Sequence, residues 1–236
     1  MLLKDKNAVV TGCSRGIGKE VVRVFAENGA NIWACIRKGN QNFTKYVNIL
    51  EQQHSVKINP VYFDLENEEQ IKSGVKAIKE SKLPVDILVN NAGVIFTALF
   101  QMTSMQKMKE MFEINYFSQI LLTQYISRTM MRQKSGSIIN ISSSAAIEGN
   151  EGRTGYVSSK SSMIASTKVL ARELAPYNIR VNAVAPGLTQ TEMMTSSTPE
   201  DALQETLNRI CLKRVGQPEE IANSVLFLAS DLSSYI

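Results

Sequence analysis

Tyr156 and Lys160, four residues apart, are the side chains of this sequence best suited to moving a proton. Residues at that spacing on a helix project from the same face. A free phenol has a pKa of about 10 and transfers protons poorly at neutral pH, but a nearby ammonium group lowers that pKa by roughly one to three units. We therefore predict that Lys160 lowers the pKa of Tyr156 and that Tyr156 is a general acid/base. The same pair is also common on helix surfaces, so other motifs must support the assignment.

A glycine-rich segment near the start of the chain, TGCSRGIG at 11–18, has the composition of a phosphate-binding turn. Glycine between a strand and a helix lets the backbone approach a pyrophosphate, whose charge is met by free N–H groups at the helix N-terminus. The spacing GxxxGxG differs from the GxGxxG of the common dinucleotide fingerprint, and a plain turn is the alternative. The residues that we predict to bind the cofactor here are Gly12, Ser14, Arg15, Gly16, Ile17 and Gly18.

Short apolar runs rich in β-branched residues alternate with helical periods along the chain. We predict strands at 7–12, 31–36, 57–64, 86–93, 137–143 and 179–187. We predict helices at 17–25, 44–53, 71–78 (capped from Asn67), 104–133 and 156–175, and a last one from Pro218 that buries Ile221, Val225 and Leu228. Such alternation is typical of parallel strands joined by crossover helices. The expected fold is one doubly wound parallel α/β sheet of the Rossmann type, a three-layer αβα domain over residues 1–236.

Composition and residue counts exclude several other classes of protein. The chain has 236 residues, 44% of them hydrophobic and 20% charged, which is typical of one globular domain. Cys13, Cys35 and Cys211 share no CxxC spacing and are predicted to be buried thiols in a reducing compartment. With a single histidine, His54, we expect neither a metal site nor a Ser/His/Asp hydrolase. The net charge of +4 includes no basic run, and no stretch of about 18 apolar residues occurs, so we expect a cytoplasmic protein that binds neither nucleic acid nor membrane.

Five motifs occur in a fixed order along the chain. They are TGxxxGxG after the first predicted strand, NNAG (90–93) after the fourth, a serine at the end of the fifth, YxxxK (156–160), and PG (186–187) after the sixth strand. This order resembles the short-chain dehydrogenase/reductase family over essentially the whole chain. The glycine loop and the segment from INISS through APG most resemble the β-ketoacyl-acyl carrier protein reductases and their relatives.

The resemblance implies a catalytic set of four residues. Tyr156 would donate the proton to the substrate carbonyl oxygen, and Lys160 would lower the pKa of Tyr156 and bind the nicotinamide ribose. Ser143, thirteen residues before the tyrosine, would hydrogen-bond the substrate oxygen and orient it. Asn115 matches the position at which a helix holds a proton-supplying water near the lysine, and a polar contact between helices is the alternative.

The resemblance also implies cofactor contacts outside the glycine loop. These are Asp64 and its neighbour Leu65 at the adenine ring, Asn90, Ala92 and Gly93 at the adenosine ribose, Pro186, Gly187 and Thr191 at the nicotinamide end, and Tyr156 and Lys160. Asn91 is expected to be structural.

The end of the second predicted strand indicates which dinucleotide binds. Enzymes of this fold that prefer NAD carry an acidic residue there, which accepts hydrogen bonds from the ribose and would repel a 2′-phosphate. In this sequence Ile36 takes that position, Arg37 follows it, and Arg15 lies on the same side. Because the planar donors of arginine bind two phosphate oxygens at once, we predict NADP(H). Two solvated surface arginines are the alternative.

Two groups of methionines are candidates for apolar contacts. One group recurs every three residues: Met102, Met105, Met108 and Met111. This group could line a substrate channel, but helix packing is favoured, and the resemblance implies a subunit interface on these helices. Met193 and Met194 lie in the segment that folds over the cofactor in the family, and are better candidates for substrate contact.

The predicted function is NADPH-dependent reduction of a carbonyl to a hydroxyl, with 3-oxoacyl-[acyl-carrier-protein] favoured as substrate and fatty acid synthesis as the role. The alternatives are a sugar, polyol or other small-alcohol dehydrogenase of the same family, and a non-enzymatic dinucleotide-sensing protein. The expected partners are acyl carrier protein, docked near Lys134 and Tyr177, or a small carbonyl compound, and other copies of the chain in a homotetramer or dimer. Because the chain ends at LSSYI, we expect the family's C-terminal strand to be missing.

Overall fold

Six parallel strands form the centre of the molecule. The computed structural model describes residues 1–198 and 203–236 in full and only the backbone of 200–202. The strands are β1 (Asn7–Thr11), β2 (Asn31–Ile36), β3 (Ile58–Tyr62), β4 (Ile87–Asn90), β5 (Gly136–Ile141) and β6 (Ile179–Val184). Their order in the sheet is β3-β2-β1-β4-β5-β6, with every neighbouring pair parallel. The predicted doubly wound α/β sheet is confirmed.

Helices connect the strands on both faces of the sheet. They are α1 (Gly16–Glu27), α2 (Gln41–His54), α3 (Glu68–Glu80), α4 (Met105–Phe112), α5 (Ser118–Gln133), α6 (Ala145–Glu148), α7 (Thr154–Leu174), α8 (Glu192–Ser197), α9 (Glu200–Arg209) and α10 (Pro218–Ala229). The predicted helix at 104–133 is one run interrupted by a π-helical turn at Glu113–Phe117, which joins α4 to α5. The sequence reading missed α6, α8 and α9, of which α6 and α8 are only four and six residues long.

Two hydrophobic layers hold the sheet between its helices. Alternate residues of a strand face opposite sides, so Val10 packs against α1, α2 and α10, while Val9 packs against α3, α5 and the end of α7. On the first face Phe25 of α1 is fully buried, and on the second Ile126 of α5 is fully buried. The strands are covered on both sides, which explains their nearly continuous apolar sequences.

All six strands lie where they were predicted, but β1, β3, β4, β5 and β6 end earlier than predicted. The residues that follow them leave the hydrogen-bonded ladder and carry polar or glycine-rich sequence. Gly12, Asp64, Gly93, Ser143 and Pro186 all lie in these extensions, and all five line one cleft at the carboxyl edge of the sheet. The motifs therefore belong to loops that the strands position.

The last helix buries a face rotated from the predicted one. α10 begins at Pro218, as predicted, but its buried residues are Ala222, Val225, Leu226 and Ala229. Ile221 and Leu228 are only partly buried. Because α10 packs closely on α1, the small side chains Ala222 and Ala229 face the contact.

The prediction of three buried cysteines is wrong for Cys211. Cys13 and Cys35 are buried, and burial raises the pKa of both thiols. Cys211 is exposed. It lies two residues after the end of α9 and belongs to neither of the two hydrophobic layers.

The described residues contain no helix of the length and apolar character needed to cross a membrane. Within the same part of the chain, no group of three or more His, Cys, Asp or Glu side chains could hold a metal ion.

Candidate active site

One cleft of about 810 Å³ lies at the carboxyl edge of the sheet and collects most of the predicted site residues. The strand order reverses between β1 and β4, and ligands of open α/β sheets bind at such a switch point. The predicted residues that line the cleft are Gly12, Ser14, Arg15, Gly16, Ile17, Arg37, Asp64, Leu65, Ala92, Gly93, Ser143, Tyr156, Lys160, Pro186, Gly187 and Thr191. Gly18, Asn90 and Asn115 are not among the lining residues.

The loop between β1 and α1 is shaped for close approach of an anion. Gly12 and Gly16 have φ values of +71° and +56°, a region that disfavours side chains, and a Cβ at Gly12 would lie 2.8 Å from the Cα of Ala92. No side chain caps the N-terminus of α1 at Arg15. The first N–H groups of that helix therefore remain available to a phosphate, and the residues present fit a dinucleotide pyrophosphate.

Gly18 and Asn91 shape this loop from behind. A Cβ at Gly18 would lie 2.3 Å from the carbonyl oxygen of Gly12, so only glycine lets α1 pack against the loop. The side-chain amide of Asn91 donates to the carbonyl oxygens of Thr11 and Gly12, at 2.9 and 3.3 Å. Asn91 thus holds the glycine loop in place, and Gly18 acts through packing.

The side chain of Asn90 faces the interior and not the cofactor cleft. Its amide nitrogen donates to Thr123 Oγ1 and to Asn140 Oδ1, both at 2.8 Å, and the residue is only 1% exposed. A contact of Asn90 with the ribose would therefore come from its backbone, and that contact stays a prediction. The alternation of side chains along β4 directs Asn90 toward α5.

The predicted phosphate-reading arginines lie at the mouth of the cleft. Ile36, the last residue of β2, is buried, and Arg37 beside it is exposed and lines the cleft. Arg37 forms no ion pair with any residue that the structure describes. Arg15 instead pairs with Glu192 of α8 at 2.7 Å, with both side chains mostly exposed.

Helix α7 brings Tyr156 and Lys160 to the floor of the cleft, opposite Ser143. Both side chains are buried, at 8% and 4% exposure. The Lys160 Nζ donates to the carbonyl oxygen of Ile141 at 2.7 Å, which fixes the ammonium at the end of β5. Burial lowers the pKa of Lys160 to about 8.

The prediction that Lys160 lowers the pKa of Tyr156 is wrong in this structure. Burial raises the pKa of the phenol, and the Ser143 hydroxyl and the charge of Arg153 only partly oppose that effect. Because the Lys160 ammonium is committed to Ile141, burial of the phenol is the larger effect. Tyr156 is therefore held as a protonated phenol at neutral pH, the form needed to donate a proton.

Asn115 occupies the π-helical turn and clamps the loop after β4. Its Oδ1 accepts from the N–H of Val94 at 2.8 Å, and its Nδ2 donates to the Val94 carbonyl and to Ser159 Oγ, at 2.9 and 3.0 Å. A Cβ at Gly93 would lie 3.1 Å from Asn115 Oδ1 and 3.3 Å from Lys160 Nζ. The polar ends of Asn115 and Lys160 thus both lie next to Gly93. The water that would supply protons near the lysine remains a prediction.

Other cleft residues have no counterpart in the sequence reading. Arg153, three residues before Tyr156, lines the cleft, as do Ile95 and Ile210. Met193 and Met194 line it as predicted. The position of Arg153 one helical turn before the tyrosine was a signal that could have been used.

The four methionines of the 102–111 stripe do not line the cleft. Met111 is buried, and its Cε and the Sδ of Met108 lie against Gly155 at the start of α7. Met102 and Met105 are exposed. The substrate-channel alternative for this stripe is therefore wrong.

The sheet, the glycine loop at its switch point and the Ser143, Tyr156 and Lys160 side chains in one cleft define a dinucleotide-dependent oxidoreductase. Residues 12–236 match a family model described as enoyl-(acyl carrier protein) reductase. The chain belongs to the short-chain dehydrogenase/reductase family, whose members use NAD(P).

Several known proteins are similar to it over nearly their full length. The 3-oxoacyl-[acyl-carrier-protein] reductase FabG of Thermotoga maritima is 38% identical, covering 100% of this chain and 95% of that protein. A 3α-hydroxysteroid dehydrogenase of Mediterraneibacter gnavus is 39% identical, with 100% and 94% covered. A protein of Beutenbergia cavernae assigned as an NAD(P)-dependent gluconate 5-dehydrogenase, solved with NADP at low occupancy, superposes with a TM-score of 0.93 at 29% identity, with 99% and 93% covered. The chain is thus an oxidoreductase acting on CH–OH groups.

Proposed function

We propose that this enzyme reduces the 3-oxo group of an acyl thioester to a hydroxyl with NADPH. The observation that carries the proposal is the convergence of Ser143, Tyr156 and Lys160 in the cleft that also holds the glycine loop and Arg37. The cofactor, when bound, supplies the hydride for the carbonyl carbon. The Tyr156 hydroxyl donates its proton to the carbonyl oxygen, and the Ser143 hydroxyl hydrogen-bonds the same oxygen and holds it there. The Ser143 hydroxyl also favours the phenolate that remains, and Lys160, held at the end of β5 by the Ile141 carbonyl, would bind the nicotinamide ribose.

The preference for NADPH over NADH is supported by the mouth of the cleft. Ile36 offers no carboxylate to repel a 2′-phosphate, and Arg37 has no ion-pair partner among the residues that the structure describes. The related structure solved with NADP is consistent with this choice. Arg15 could contribute after exchanging Glu192 for the phosphate.

The choice of a 3-oxoacyl substrate is supported by the relatives named as 3-oxoacyl-[acyl-carrier-protein] reductases. The cleft lining includes the apolar side chains Ile95, Met193, Met194 and Ile210, which suit an acyl chain. For the carrier protein, we propose that Lys134 contributes to docking. It is exposed between α5 and the start of β5, at the edge of the sheet opposite the cleft, so in a homotetramer it would act on a carrier that serves another copy.

A hydroxysteroid is the second candidate substrate. The same apolar side chains that suit an acyl chain would suit a steroid, and the relative from Mediterraneibacter gnavus is named for that activity.

A substrate panel tests the proposal. Purified enzyme with NADPH is assayed on acetoacetyl-acyl carrier protein, a small acetoacetyl thioester, a 3-oxosteroid and a set of ketoses. We expect the highest kcat/KM on the thioesters. A higher value on the steroid or a ketose would contradict the substrate, and tight NADPH binding with no turnover would support the dinucleotide-sensing alternative.

We also propose that the chain assembles as a homotetramer through α4 and α5, as the family resemblance implies. Met102 before α4, Met105 at its start and Phe117 just before α5 expose 71%, 67% and 53% of their surface, which supports an apolar contact between copies. Sedimentation at micromolar concentration should show a single species of four chains, and a monomer would contradict the proposal.

A further inference from the structure

Arg153 is a cation in the catalytic cleft to which the mechanism above gives no role. It directly precedes α7, is half-buried, and lines the cleft together with Tyr156 three residues later. Three residues of helix advance about 4.5 Å along the axis. Arg153 therefore lies about one turn before the tyrosine that protonates the substrate, and both residues line the same cleft.

The partners of Arg153 are all neutral. Its Nη2 donates to the carbonyl oxygen of Ser197 at 3.2 Å and to Thr198 Oγ1 at 3.1 Å. Neither Nε nor Nη1 makes a hydrogen bond to the described part of the chain, and no carboxylate there pairs with it. Arg23 and Arg214, in contrast, are each neutralised by glutamate side chains.

A half-buried guanidinium needs water or a ligand at its unused donors, and displacing that water is costly unless the ligand supplies an acceptor in its place. Its charge also reaches the reacting group, since it helps to oppose the effect of burial on the pKa of Tyr156. An acceptor on a bound substrate would displace water from these donors, close to the reacting carbonyl.

We propose that Arg153 is a specificity-determining residue that donates a hydrogen bond to the C1 oxygen of a 3-oxo acid or thioester while Tyr156 protonates the C3 oxygen. This inference rests on the proposed function and names the part of the substrate that selects it. The two oxygens of such a group are bonded to C1 and C3, which are separated by C2, and this spacing suits two residues one helical turn apart. Simple ketones lack the second oxygen and leave Arg153 unsatisfied.

Three probes test the assignment: the N-acetylcysteamine thioester of acetoacetate, a thioether of matched size in which CH₂ replaces the C1 carbonyl of the thioester, and the smaller free acetoacetate. Hydrogen bonds to charged groups are strong enough that Arg153→Gln should lower kcat/KM for a C1-oxygen substrate by roughly tenfold or more. For the thioether, which has no C1 oxygen, kcat/KM should change by less than about twofold, which is a small difference in free energy. Selective loss on the thioester or on acetoacetate identifies which source of the C1 oxygen binds.

Thr198→Val is the matched control, because it removes one acceptor of Arg153 and keeps the charge. It should leave the thioester-to-thioether ratio of kcat/KM at the wild-type value. Equal loss on all three probes in Arg153→Gln, or the same change of ratio in Thr198→Val, would overturn the inference and indicate that Arg153 only holds the 197–198 segment. Wild-type enzyme that reduces acetoacetate but no thioester would contradict the proposed substrate and leave the role of Arg153 intact.

Discussion

Replacing Arg37 by alanine should remove the preference for NADPH. Arg37 lies at the mouth of the cleft, directly after the apolar Ile36, and no described residue forms an ion pair with it. A 2′-phosphate would therefore meet a guanidinium that need not give up another partner. Arg15, by contrast, must first release Glu192.

The expected magnitude follows from exposure. Hydrogen bonds to charged groups contribute roughly 1.5–3 kcal/mol, and the exposure of Arg37 favours the lower limit because solvent screens the contact. A loss of about 1.4 kcal/mol is a tenfold loss of kcat/KM for NADPH. The loss in Arg15→Ala should be smaller, since an exposed ion pair with Glu192 offsets part of the gain.

Steady-state kinetics with both cofactors measures the effect. Wild-type enzyme should favour NADPH at least tenfold, and Arg37→Ala should weaken NADPH with little change for NADH. Lys38→Ala is the control, since Lys38 is an exposed neighbouring cation that does not line the cleft. Equal losses for both cofactors, or the same loss in Lys38→Ala, would refute the assignment of Arg37 to the 2′-phosphate.

Four further results are expected. Tyr156→Phe should abolish turnover and retain NADPH binding, because it removes only the transferable proton. Tyr116→Phe, which lies outside the cleft, should remain active. If Tyr156→Phe kept more than about a tenth of the activity, a barrier change below roughly 1.4 kcal/mol, the mechanism would be contradicted. Burial lowers the pKa of Lys160 to about 8 and raises that of Tyr156, so both groups are protonated below pH 8 and Lys160 loses its charge first as the pH rises. The kcat/KM for reduction should therefore fall with a midpoint near pH 8. A profile that stays flat above pH 8 would argue against a role for the Lys160 charge. Lys134→Gln should lower kcat/KM on the carrier-bound substrate but not on a small thioester. This loss should become smaller as salt screens the charge, and a loss independent of salt would exclude electrostatic docking. Gly18→Ala should lower the free energy of unfolding by roughly 1–3 kcal/mol, because the added Cβ would overlap the Gly12 carbonyl. If denaturant unfolding of the variant matched wild type, α1 would be able to shift and this prediction would be wrong.

Local patterns were sufficient to predict most of the fold. A strand of a doubly wound sheet is covered on both faces, so an apolar run such as that of β2 marks its position and length, and the prediction for β2 matches at both ends. Helix caps are equally local: Asn67 accepts from the N–H of Gln70 at the start of α3, as its sequence indicates. The predicted strands extend too far at the cleft, because the residue at which a strand leaves the hydrogen-bonded ladder depends on its neighbouring strands.

The sequence by itself determined which residues share the candidate site, because Tyr156 and Lys160 are fixed to one helix face and the glycine loop to the end of β1. Only the tertiary structure decided how they act. Long side chains take their partners from elsewhere in the fold, so the Lys160 ammonium is directed to Ile141, 19 residues away, and the pKa of Tyr156 rises through burial. The contact of Arg153 with Ser197 spans 44 residues, and no spacing along the chain encodes it. Solvent exclusion and contacts between distant segments exist only once the layers have packed, and they set the charge and orientation of groups that the sequence can only name.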